Sequence, residues 1–187
     1  MPKIVSIVGN PYSGKTTLLE KIVKELVKRG YQIGTIKHNV HGFEIDYPGK
    51  DSYRHFHSGS KMAMILGTDK IAVVRRLEKS LSLRQAIQMF FNNREHKLDL
   101  IITEGFKRES KPKIEIVRSK ISSEPICRVK EDNLVALISD IKITNYNIPQ
   151  FRLNDISKIT DFIEDKFICQ KKIKKTVRTD SRSGVQD

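Results

Sequence analysis

Apolar residues fall in two rhythms along this chain. Ile4, Val5, Ile7 and Val8 make a short run with the β-branched content of a buried strand. The rhythm then changes. Leu18, Leu19, Ile22, Val23, Leu26 and Val27 recur at three- and four-residue spacing, with Lys21, Lys24, Glu25 and Lys28 between them. That pattern predicts an amphipathic helix, closed by Gly30 just past its cap. "YQIGTIK" (31–37) reads as a second strand, so the first forty residues predict a β-loop-α-β unit and a parallel sheet with right-handed crossovers.

From His38 to Ser60 periodicity disappears, and the segment reads as a long loop of the kind that usually carries function. "KMAMILG" and "KIAVVRRL" predict two strands turned at Gly67-Thr68-Asp69, a hairpin at one edge of the sheet. "SLSLRQAIQMFFNN" predicts a helix capped by Ser80 or Ser82, and "LDLIITEG" a buried strand ending in Glu104-Gly105. "KIEIVRS" and "LVALISD" add further strands. "DISKITDFIEDKFI" closes as a helix with Ile156, Ile159, Phe162, Ile163 and Phe167 inward. With "GNPYSGKTT" (9–17) standing between the first strand and the first helix, the expected fold is α/β of the P-loop NTPase kind: three layers α/β/α, a mostly parallel sheet and an antiparallel edge. We expect one domain over 1–169 and a basic, disordered tail over 170–187.

Composition narrows the classes. At 187 residues, 38% hydrophobic and 30% charged, the chain suits one soluble domain, and no apolar run approaches a membrane span. The start lacks the pattern of a signal peptide, so a cytoplasmic location is expected. Cys127 and Cys169 stand far apart, which suggests neither a disulfide framework nor a thiolate zinc site. The net charge of +13 implies an anionic partner, and six Lys or Arg against two Asp after Cys169 account for four of those charges. Aromatic RNA-binding signatures are missing, so small phosphates rank ahead of nucleic acid.

The stretch "GNPYSGKTT", Gly9 to Thr17, gives the phosphate a location. It reads G-x-x-x-x-G-K-T between a predicted strand and a predicted helix, the context this phosphate-cradling loop requires. Gly9 and Gly14 let backbone N–H groups approach an anion, and the helix start adds its dipole. Lys15 supplies a charge for β/γ-phosphates, Thr16 a hydroxyl for Mg²⁺, and Asn10, Ser13 and Thr17 complete the cradle. A magnesium nucleotide also needs an acid at the end of a neighbouring strand; Glu104 is the candidate metal-side or water-positioning group, with Gly105 beside it. Four of the five histidines fall in the loop, where His38, His41, His55 and His57 mix with Glu44, Asp46 and Asp51. This cluster reads either as a nickel or zinc site or as a solvated loop contacting a second ligand's phosphates.

Taken together, "GNPYSGKTTLLEKIV", "IKHNVHGFEIDYPGKDSYRHFHSGS", "DLIITEGFK" and "LVALISD" resemble the molybdopterin-guanine dinucleotide biosynthesis protein B family, in order over most of the first 140 residues. The resemblance implies a GTP-binding homodimer with weak GTPase activity, an adaptor to the guanylyltransferase that joins GMP to molybdopterin. It assigns the nucleotide phosphates to Gly9, Gly14, Lys15, Thr16 and Thr17. The neighbouring loop would be Lys37, His38, Asp46, Lys50, Asp51 and Ser52, and the opposite wall Glu104, Gly105 and Lys107. "SYRHFHSGS" departs from the small residues frequent there. No N-K-x-D element reads the base, although Asp140 places a carboxylate at a strand end where guanine N–H groups could bind. Two other readings stay open at this point. One is a small-molecule kinase with Asp46 or Asp51 as base and arginines such as Arg54, Arg75 and Arg76 over the phosphates. The other is a nickel-insertion GTPase using the histidines.

Overall fold

The computed structural model describes residues 2–38, 42–91 and 97–169. His41 and the tail from residue 170 lie outside them, as does the predicted extension of the third helix to Asn93. The chain forms two compact units: one from the segments up to His38 and from Phe91 onward, the other from the segment between.

The first unit is a six-stranded sheet. Its strands are β1 (Lys3–Gly9), β2 (Ile33–Lys37), β5 (Leu100–Glu104), β6 (Lys113–Val117), β7 (Leu134–Ser139) and β8 (Gln150–Phe151), numbered with β3 and β4 of the other unit. They lie in the order β2-β5-β1-β6-β7-β8, and every pairing is parallel. The helix α1 (Lys15–Lys28) buries Leu18, Ile22 and Leu26, and α4 (Ile156–Ile163) buries Ile159 and Ile163. Both stripes join Val5, Ile7, Ile102, Ile114 and Ile138 in one apolar cluster. The guanidinium of Arg29 locks the two helices together, donating to Asp161 at 2.6 Å and Glu164 at 2.9 Å. Beyond α4 the helix widens into a π-helical stretch, Glu164–Cys169, that buries Phe167 and Ile168. Val8, Val117 and Leu137 point to the other face by strand alternation and form a second cluster with Cys127 and Ile143.

Strand β6 departs from its pattern. "KIEIV" alternates as a half-exposed strand would, yet all five residues are buried. The Lys113 ammonium donates to the carbonyls of Glu109, Lys111 and Asp132, the last at 2.6 Å, which satisfies its three donors. The Glu115 carboxylate accepts the N–H groups of Ile126 (2.6 Å) and Cys127 (2.9 Å), while burial pushes its pKa above the usual carboxylate range. Both side chains anchor irregular loops to the central sheet and are structural. Burial likewise pushes the Cys127 thiol up to about 12, which leaves it inert as a nucleophile.

In the second unit, β3 (Met62–Leu66) and β4 (Ile71–Arg75) pair antiparallel. The predicted hairpin exists, but as a two-stranded sheet of its own rather than as an edge of the parallel one. The helix α3 (Leu83–Phe90) starts behind Ser82, whose hydroxyl accepts the Gln85 N–H while the Gln85 side chain accepts the Ser82 N–H, a reciprocal capping box. The predicted loop 38–60 contains a helix, α2 (Asp51–His57). It buries no residue, so no apolar stripe announces it. β8 was not expected either, and at two residues it carries no periodicity.

Candidate phosphate-binding site

β1 lies between β5 and β6, so the chain leaves the middle of the sheet at Gly9 and enters α1 at Lys15. Gly9 has φ 145°, and a Cβ there would stand 2.6 Å from the Ile116 carbonyl oxygen. Gly14, φ 89°, is the left-handed residue that caps α1. That helix start has no side-chain cap and no acidic residue in its first turn, so its N–H groups and dipole face the loop uncompensated. Ser13 Oγ is the one buried side-chain polar atom among the described residues without a hydrogen-bond partner. An orphan donor inside a glycine-rich loop suits an anionic ligand.

Lys15 Nζ donates to the carbonyls of Gly9 (3.1 Å) and Asn10 (2.7 Å), which holds the ammonium over the loop. Burial lowers its pKa from the usual lysine value; the Glu104 carboxylate acts in the opposite sense, and Lys37 adds to the lowering. Glu104 ends β5, one strand over, in register with Ile7. Its buried carboxylate accepts the Thr16 hydroxyl at 3.0 and 3.1 Å and lies 3.4 Å from Lys37 Nζ. Thr16 and Glu104, far apart in sequence, thus meet as a hydroxyl and a carboxylate beside a lysine. Hard oxygen donors of this kind suit Mg²⁺. Thr17 is exposed one residue further into α1. On the β2 side, His38 donates its N–H to the Glu104 carbonyl at 3.0 Å and stacks on Phe106, centroids 4.6 Å apart. Gly105 donates to the Ile7 carbonyl, and Lys107 is exposed just beyond Phe106.

Asp46, Lys50, Asp51 and Ser52 belong to the second unit. Asp46 accepts the Ser52 hydroxyl and the Tyr47 N–H, and these bonds hold its pKa below the usual carboxylate value. Asp46 borders a cavity of about 70 Å³, with Phe56, Ile65 and Val74 on its wall. Asp51 is exposed, 3.8 Å from Arg54. Among the described residues no three His, Cys, Asp or Glu side chains are placed to share a metal ion, so the nickel reading finds no assembled site there.

Two residues at this site carry no signal in the periodicity of the chain. Tyr12, within the loop, and Phe106, beside Glu104, both adopt left-handed backbone conformations. An aromatic inside a glycine-rich stretch was the only hint of the first.

Comparison with known proteins decides the family. Residues 4–140 match the profile of the molybdopterin guanine dinucleotide synthesis protein B family. The chain belongs to that family. The matched span runs from β1 to the residue after β7 and so contains the loop, the Glu104 strand end and the whole second unit of this family member. A molybdopterin-guanine dinucleotide biosynthesis adapter protein of Haemophilus influenzae is 34% identical over 166 residues, 87% of this chain and 88% of that one. The Escherichia coli protein of the same description is 34% identical over 153 residues, 81% of this chain and 85% of its own. Among solved structures, Bacillus subtilis MobB superimposes with a TM-score of 0.69 at 26% identity, covering 88% of this chain and 98% of that one.

Proposed function

We propose that the chain binds GTP with Mg²⁺ through the Gly9–Thr17 loop and serves as an adaptor in molybdopterin guanine dinucleotide biosynthesis. The observation that carries this reading is the contact of Thr16 with Glu104 beside Lys15, at a loop whose buried Ser13 hydroxyl has no protein partner. Lys15 and the N–H groups opening α1 neutralise the phosphates, and Thr16 and Glu104 hold the metal or its water shell. Asn10, Gly14 and Thr17 shape the near wall and Gly105 the far one, with Lys37, His38 and Lys107 exposed at its mouth. Asp46, Lys50, Asp51 and Ser52 would serve a second ligand in their own unit. Hydrolysis is slow on this reading. Glu104 is engaged by Thr16 and Lys37 and acts as a metal-side acid, not as a free base.

Asp140 supports the choice of guanine. With Thr16 and Glu104 holding the metal end of the polyphosphate on the β5 side, the nucleoside would extend over β6 and β7. Strands about 4.8 Å apart bring the end of β7 within about 10 Å of the loop. There Asp140 and Gln150 border an open pocket of about 500 Å³. The Ser119 N–H donates to Asp140 at 2.8 Å and lowers its pKa, which keeps the carboxylate an acceptor. Competition between GTP and ATP, with the partner guanylyltransferase present and absent, tests base and adaptor roles together. We expect GTP to be preferred at least about tenfold, Asp140→Asn to remove most of that preference (a lost charged hydrogen bond is worth about 1.5–3 kcal/mol), and the transferase to tighten GTP binding. Equal competition by ATP rules out the guanine reading, and an affinity blind to the transferase rules out the adaptor.

A homodimer fits the hairpin. Met62, Met64 and Leu66 on β3 and Ile71 on β4 share one face and are each more than half exposed. An apolar strand face of this kind seeks a partner. Sedimentation of the wild type should give a dimer, and Met64→Lys a monomer that still binds GTP; a wild-type monomer at micromolar concentration disproves the dimer. No helix among the described residues is long and apolar enough to cross a membrane, and we assign the adaptor's work to the cytoplasm.

A further inference from the structure

Among the described residues, three other than glycine adopt the left-handed backbone: Tyr12 (φ 62°), Phe106 (φ 57°) and Asn133 (φ 56°). Asparagine is at home in that region; aromatic side chains are not. The two aromatic cases share a location. Tyr12 follows β1 and Phe106 follows β5, neighbouring strands in which Ile7 pairs with Glu104. Both therefore flank the mouth that holds Lys15, Thr16 and Glu104. Tyr12 is also 99% exposed, and it is the only exposed Phe or Tyr among the described residues of its unit. Neither backbone preference nor packing accounts for a ring in that position. At Phe106 the same backbone conformation sets the ring against His38, interplanar angle 22°, and leaves the imidazole exposed. Strained residues of this kind cluster at ligand clamps.

We propose that Tyr12, Phe106 and His38 form an aromatic rim that stacks a second planar heterocycle beside the polyphosphate of the bound nucleotide. The inference rests on the nucleotide reading given above. Aromatic faces bind bicyclic rings by offset stacking, with little demand on ring substituents. Lys37 and Lys107, exposed on either side of the His38–Phe106 pair in sequence, supply ammonium groups for a phosphate on that heterocycle. The ring chemistry is shared by a pterin and by guanine.

The test uses the full chain saturated with GTP and Mg²⁺, titrated separately with neopterin monophosphate and with GMP. The chain contains no Trp, so pterin fluorescence is read without protein background, and GMP is followed by calorimetry. Saturable binding of either probe is expected, and which one binds names the source of the ring. Tyr12→Gly and Phe106→Gly each remove a ring and relieve the backbone. Each should weaken the probe at least about fivefold and leave the melting temperature equal or higher, and Phe106→Gly, outside the Gly9–Thr17 loop, should leave GTP affinity within about twofold. The proposal is overturned if neither probe binds below millimolar concentration, or if both variants bind as the wild type does. A parallel loss of GTP binding in Phe106→Gly also overturns it, because that ring would then belong to the nucleotide's own site. If the wild type does not bind GTP at all, the loop reading fails by itself, and the pterin titration of the unloaded chain still decides the rim.

Discussion

Lys15→Ala is expected to lower GTP affinity by about 100-fold or more while leaving a cooperative fold. Among the described residues the ammonium donates hydrogen bonds to two carbonyls of its own loop, those of Gly9 and Asn10. Releasing them costs about 1 kcal/mol, the net worth of ordinary hydrogen bonds. Against a bound polyphosphate the same group forms a partly desolvated charge pair, and removing one member of such a pair costs about 3–5 kcal/mol. At about 1.4 kcal/mol per factor of ten, the ligand term exceeds the fold term severalfold. Calorimetric titration with GTP and a thermal melt of the same preparation separate the two. A variant that binds normally removes the phosphate role from Lys15, and a variant that fails to fold makes the side chain structural.

Gly9→Ala should damage both fold and site. The new methyl would lie 2.6 Å from the Ile116 oxygen, a main-chain atom of a central strand that cannot swing away as a side chain would. Its φ of 145° adds strain that any L-residue feels. Overpacking of about 1–3 kcal/mol and backbone strain of about 1–3 kcal/mol together predict a loss of roughly 2–6 kcal/mol. At about 2–4 °C per kcal/mol for a chain of this size, the melting temperature should drop by about 5–20 °C. Gly14→Ala is the control. Its φ of 89° carries strain, but a Cβ there meets nothing within 4 Å, so it should lose only the strain share. If the two variants melt together, close approach to β6 is not what Gly9 provides.

How much of this was legible follows from where each signal resides. The loop is contiguous, so its spacing stands in one line of text between a strand and a helix. β1, β5 and β7 are apolar runs because parallel strands are buried on both faces, and α1 and α4 show their stripes. The helix α2 gave no such sign: Asp51 to His57 carries Tyr53 and Phe56 among polar and charged residues and buries nothing. β6 was legible as a strand, but the burial of Lys113 and Glu115 was not, because it depends on backbone partners contributed by other loops. At the site, Glu104 was recognisable from its strand end, whereas the left-handed turns at Tyr12 and Phe106 are conformations and leave no mark in periodicity.

The hydroxyl of Thr16 and the carboxylate of Glu104 are 88 residues apart in sequence, a stretch that includes the entire second unit. During synthesis, a ribosome that has delivered the loop and its helix has therefore made only half of a binding site. The nascent chain cannot draw on nucleotide for stabilisation until β5 has emerged and inserted beside β1.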